Sequence, residues 1–256
     1  MSSILDSLLW LSADSDPSSP KHRTSWKHPL LACFIHYVTV AVAINVIHDL
    51  VILPCIKNYI LSDPLDFENN PQLTCSVKWS KEREWSARVA FLYVMILLST
   101  RLLQSKSGVY RLSVLYEFTW LCNSALLFGA YGLYSCRPLI AAGFAVAISI
   151  DQILWYVDMV GYIFSGFKLF PVGVCKYLLW PQTQWITRLT CTHHFWTIPL
   201  LLYGCCGLNL FGAYIFNIVL VFLHVLLSRW LSPFRIALDD DNNKVKDKYL
   251  NVNLGK

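Results

Sequence analysis

Two adjacent histidines, His193 and His194, sit in the run TCTHHFWTIP (190–199), which contains no Asp, Glu, Lys or Arg. Imidazole titrates near neutral pH, so it can serve as general base, hydrogen-bond bridge or metal ligand. Other proton-active groups stand in equally apolar runs: His36, Glu117, Asp151, Asp158 and His224, with the thiol of Cys122 beside the amide of Asn123. Ionisable side chains inside apolar helices are costly and usually face other protein groups. For any one of them the ordinary reading is a hydrogen bond between helices, or a side chain near a helix end reaching for water. Their recurrence argues for a joint polar site.

Helical spacing refines the picture. Asp151, Trp155, Asp158 and Tyr162, separated by four, three and four residues, share one stripe of a helix. Asn217 and His224 share a face, and Thr190, His194 and Thr197 line up with His193 about 100° to one side. The two histidines therefore cannot point at one centre, and one can act while its neighbour holds a carbonyl or a carboxylate. Thr119, Cys122 and Asn123 form a narrow stripe, with Glu117 about 140° from Cys122 around the same helix.

These residue types suit acyl transfer or hydrolysis. Cys122 would be the nucleophile and His193 or His194 the general base. Asp158 or Glu117 would orient the imidazole, and Asn123 would donate to an oxyanion. A metal centre is the weaker reading, because the sequence has neither HxxxH nor HExxH; no metal and no cofactor are expected. A polar layer open to one side would also serve a small-molecule or proton-coupled transporter, although no pair of broken helices in symmetric halves supports one. A non-catalytic scaffold or complex subunit would instead use aromatic-rich faces such as Trp155, Tyr156, Phe195 and Trp196 to hold protein partners.

The elements that must position these groups follow from composition. Hydrophobic residues make up 55% of the chain and charged residues 14%, against about 25% charged in soluble domains, so the apolar excess must face lipid. Crossing a hydrocarbon core of roughly 30 Å takes about 20 apolar helical residues. Six runs qualify: 29–56, 87–103, 112–134, 139–164, and two within 189–228 joined at YGCCGLN. The expectation is an all-α, polytopic integral membrane protein with six transmembrane helices. Residues 168–182, cut by Pro171, Gly173 and Pro181, add a short interfacial or re-entrant segment. The domains expected are an amino-terminal arm (1–28) with a short amphipathic stretch at Ile4–Leu11, the membrane domain (29–231), and a polar, partly disordered tail (232–256).

Lys and Arg placement on alternate connections puts both termini in the cytosol, with the protein in the endoplasmic reticulum or another endomembrane. Counted along six straight spans, His36, Glu117, Asp158, His193, His194 and His224 fall in one layer roughly 7 to 11 Å below the cytosolic boundary. The start has no basic region and is not a cleaved signal peptide. Cys55 and Cys75 fall on the lumenal side, where they could pair; Asn45, His48 and Asp49 read as a solvated helix end, with a second polar site as the alternative. The net charge of +5 forms no basic stripe suited to nucleic acid, so the partners expected are membrane lipids.

The stretches LYEFTWLCNSALLFGAYGLY (115–134), CRP (136–138) and THHFWTIPLLLYG (192–204) resemble the YwaF-like six-helix membrane proteins, which include a cysteine-dependent phospholipid acyltransferase. In that family an Asn-Pro-Cys-His motif supplies the nucleophile and a histidine on a later, proline-containing helix the base. The resemblance implies Cys122 and His193 or His194 for these roles, with LCN standing here in place of the family's Pro-Cys-His. YEFTWLCN (116–123) is also similar to the Tyr-Asp-Phe-Cys-Tyr-x-x-Asn stretch of glycerophosphocholine acyltransferases, which implies Glu117 and Asn123. Both resemblances imply acyl chemistry on membrane lipids.

Overall fold

The computed structural model describes residues 29–55, 80–104, 114–181, 183–205, 210–231, 235–239 and 245–249. In chain order the helices are α1 (Pro29–Ile47), α2 (Ser80–Gln104), α3 (Val114–Phe118), α4 (Leu121–Tyr134), α5 (Pro138–Ala147) and α6 (Ser149–Phe164), followed by α7 (Trp185–Thr190), α8 (His193–Cys205) and α9 (Leu210–Leu231). A π-helical turn, His48–Ile52, continues α1, and a 3-10 turn, Lys176–Leu179, lies between α6 and α7. The polar tail holds an antiparallel pair, β1 (Arg235–Asp239) with β2 (Val245–Tyr249), in which Arg235 faces Tyr249 and Asp239 faces Val245. The amphipathic stretch expected at Ile4–Leu11 lies outside the described residues, as does Cys75.

The chain divides into two compact units. The first comprises Met1–Ala43, Arg101–Asn123 and Val221–Lys256, and the second Ile44–Thr100 and Ser124–Leu220. In the second, α5 packs on α8 and α6 packs on both. Small side chains allow this closeness: Ala87, Ala141, Ala142, Ala145 and Ala213 form one cluster with Leu133, Leu201 and Cys205. A Cβ added at Gly143 would come within 2.5 Å of Phe216, so that glycine fixes the approach of α5 and α9. In the first unit, α1 buries Ala32, His36 and Val40 while Leu30, Leu31, Phe34, Val38 and Val42 face outward. A helix that turns large apolar residues outward is compatible with membrane association.

The six-span architecture is not what the chain forms. Among the described residues two helical stretches are long and apolar enough to cross a membrane, Pro29–Cys55 with 27 residues and Lys81–Leu103 with 23. Pro138–Ala147 and Ser149–Phe164 become a third candidate if this pair, bent by 51°, is taken as one span. The third run breaks at Thr119–Trp120 into helices of 5 and 14 residues, and the fifth at Cys191–Thr192 into 6 and 13. Thirteen residues rise only about 20 Å, less than the hydrocarbon core. The described apolar part of α9, Gly212–Ser228, is also shorter than either full-length candidate. The layer of polar groups counted along six straight spans falls with them. These helices are compatible with membrane association.

The breaks hold because side chains satisfy the carbonyls they release, which a bilayer cannot do. At the first, Tyr37 Oη donates to Phe118 O at 2.5 Å, Thr119 Oγ1 to Tyr116 O at 2.7 Å and Asn123 Nδ2 to Glu117 O at 2.8 Å. Within α8, Pro199 has no N–H for the carbonyl of Phe195, four residues earlier. Tyr156 Oη supplies the missing donor at 2.9 Å.

Candidate functional site

The break between α7 and α8 sets the histidines. Thr192, His194 and Phe195 donate their amides to the carbonyls three residues back, Leu189, Cys191 and Thr192. The amide of His194 thus leaves the Thr190 carbonyl to other donors. His193 Nδ1 meets that carbonyl at 2.7 Å, and Tyr93 Oη donates to it at 2.8 Å. A carbonyl only accepts, so the Nδ1 of His193 carries the proton and Nε2 is the basic nitrogen. His193 is buried, with the Tyr93 ring 5.9 Å from its own.

The His194 ring lies 4.1 Å from that of His193, with a nitrogen of one within 4.8 Å of a nitrogen of the other, and stacks at 4.3 Å, 10° from parallel, on Trp155. Its Nδ1 lies 3.3 Å from Asp151 Oδ2, at ion-pair distance but off the line of a hydrogen bond. One imidazole therefore rests on a backbone carbonyl and the other on an aromatic face and a carboxylate.

Asp158, expected to orient an imidazole, does something else. Its Oδ1 accepts the amides of Val172 and Gly173 at 2.7 and 2.9 Å, and its Oδ2 that of Cys175 at 2.9 Å. The carboxylate beside a histidine is Asp151, one of the same stripe and about two turns earlier in α6. Asp158 instead ties the 165–181 segment to its helix, with Trp155, Cys175 and Cys191 packed beneath. Burial pushes the Cys175 thiol up to about 12, with the negative charge of Asp158 adding to it, so Cys175 is a filler rather than a nucleophile.

The remaining candidates belong to the first unit. Cys122 is buried, outside any disulfide, in the first turn of α4. Asn123, beside it, gives one Nδ2 hydrogen to Glu117 O, while its buried Oδ1 accepts no hydrogen bond among the described residues. Glu117 approaches Arg101 Nε at 3.9 Å. His36 and His224 are fully buried edge to face, with ring centroids 4.9 Å apart.

A polar cluster in the second unit replaces the solvated helix end expected at Asn45–Asp49. Asp49 Oδ2 accepts Arg137 Nη2 at 2.7 Å, and Asp49 Oδ1 meets His48 Nδ1 at 2.7 Å. Asn45 Oδ1 takes hydrogen bonds from Tyr131 Oη at 2.8 Å and from Arg137. The turn CRP carried the signal, an arginine next to a helix-starting proline. Cys55 is a free, exposed thiol, which removes the expected Cys55–Cys75 pair, whereas Cys136 is disulfide-bonded.

Of the residues that complete the histidine pair, spacing pointed to Asp151, Trp155 and Thr190; Tyr93 carried no sequence signal. No protein-family model matches the chain, and neither a curated protein nor a solved structure shows significant similarity to it.

Proposed function

We propose that the protein is a membrane enzyme acting on lipid acyl groups, as acyltransferase or hydrolase. The observation that carries the reading is the His193 tautomer: a buried imidazole whose Nδ1–H is fixed on the Thr190 carbonyl presents Nε2 as a base. Asp151 and Trp155 hold its neighbour in place, so the pair is oriented before any substrate arrives. The resemblance to the YwaF-like proteins implies Cys122 as the nucleophile.

In this mechanism the base takes the thiol proton and the sulfur attacks the ester carbonyl of a phospholipid. A C–S bond forms, the ester C–O bond breaks, and the departing lysophospholipid oxygen takes the proton from the imidazolium. A second acceptor, water or another lysophospholipid hydroxyl, then attacks the thioester, giving its proton to the base and releasing the thiol. Asn123 stands next to the nucleophile with one Nδ2 hydrogen committed to Glu117 O, so an oxyanion would be served by the other.

The test is turnover of acyl-labelled phospholipid, with lysophospholipid as acceptor, by purified protein in mixed micelles. Cys122→Ala should abolish the reaction, and His193→Gln should slow it roughly 10²- to 10⁴-fold. Full activity in Cys122→Ala would remove the thiol from the mechanism.

A further inference from the structure

The segment joining α6 to α7 has a one-sided composition. Residues 159–238 include no Asp or Glu, while Lys168, Lys176 and Arg188 are all exposed. Around them Phe167, Leu169, Val172, Leu179, Trp180 and Trp185 are also exposed. Exposed apolar residues interleaved along the chain with charges of a single sign are the pattern of a segment that meets an anionic bilayer, with aromatic rings at headgroup depth and bases on the phosphates.

The segment is also held rigid, and its stiffness bears on what it can bind. Asp158 gathers the amides of Val172, Gly173 and Cys175, and Ser165 Oγ accepts those of Lys168 and Leu169 at 3.2 and 2.9 Å. Thr183 Oγ1 donates to Tyr177 O at 2.6 Å, and the rings of Tyr162 and Phe170 stack at 4.3 Å. Phe167 is held at φ +67°, a left-handed conformation unfavourable for a bulky residue, and its ring stays exposed. A bulky residue held at positive φ costs free energy that an unconstrained connection would avoid.

We propose that residues 165–189 form a preorganised membrane-surface wedge that selects anionic phospholipids, the aromatic and aliphatic tips entering the headgroup boundary while Lys168, Lys176 and Arg188 engage the phosphates. A protein partner would need a face of matching acids and a complementary shape; a bilayer needs only negative charge and a depth into which rings can sink. The inference does not depend on the acyl chemistry, since the surface would serve a transporter or a scaffold equally well.

The test reconstitutes the full chain in phosphatidylcholine bilayers with trace spin-labelled phosphatidylserine or phosphatidylcholine, and measures the motionally restricted fraction of each by electron paramagnetic resonance. The wild-type protein should favour phosphatidylserine by about threefold or more, less so as salt rises. The combined variant Lys168→Gln, Lys176→Gln and Arg188→Gln should fall to a ratio near one. Lys168→Arg with Lys176→Arg, which keeps every charge, should retain the preference and so separates loss of charge from loss of fold. A wild-type ratio near one, or a preference that survives in the glutamine variant, would overturn the proposal.

Discussion

His193 owes its orientation to a defect in the helix. An unbroken helix through 189–205 would spend the Thr190 carbonyl on the amide of His194; the turn at Cys191–Thr192 releases it for His193 Nδ1 and Tyr93 Oη. Residue types and spacing were enough to single out the two histidines; the divergence expected from 100° per residue does not keep them apart, since a ring nitrogen of one lies within 4.8 Å of a ring nitrogen of the other. Types and spacing could not show which carboxylate would lie beside them, because Asp151 and Asp158 share a stripe and differ only in the loop that folds back onto one of them. That loop gives the clearest residue-scale prediction. In Asp158→Asn the carboxamide keeps one acceptor but turns an NH2 toward backbone donors, leaving at least one buried amide without a partner. The cost should be about 2 kcal/mol, read as a lowered thermal midpoint in detergent together with faster proteolysis within 165–181. Unchanged stability with a large loss of turnover would return Asp158 to the orienting role.

At the scale of elements, the long apolar runs were legible and their breaks were not. Val114–Phe118 and Leu121–Tyr134 read as one span in sequence because nothing in TWLC is a helix breaker. The interruption is tolerated through hydroxyls and an amide supplied by Tyr37, Thr119 and Asn123, and contacts of this kind have no periodic signature. Proline in α8 is the opposite case. Pro199 announces a lost hydrogen bond, but only the fold shows that Tyr156, from α6, replaces it. The two residues should therefore be coupled. Tyr156→Phe should cost about 1 kcal/mol in the wild-type background and much less in Pro199→Ala, where the restored N–H serves Phe195. A double-mutant cycle on unfolding midpoints measures this, and simple additivity would refute the assignment of Tyr156 as the substitute donor.

For the whole molecule, the environment read from composition is compatible with the fold, while the count of crossings read from it is not. An excess of outward-facing Leu, Val and Phe on α1 is what 55% hydrophobic content requires. The number of crossings, however, depends on where helices stop, and those stops are set by tertiary hydrogen bonds. With two apolar helices of full length among the described residues and a third candidate in the bent pair, the chain should remain in the membrane pellet after alkaline carbonate extraction. Release into the supernatant would contradict an integral association.

The account's central claim is covalent, so the most direct measurement is of the covalent species. Purified protein mixed with phospholipid, quenched in acid within the first turnovers and digested for mass spectrometry, should carry one fatty acyl group on Cys122. That acyl group should be lost on treatment with neutral hydroxylamine and should not form in His193→Gln over the same interval. Sustained turnover with Cys122 unmodified at every time point would contradict the claim.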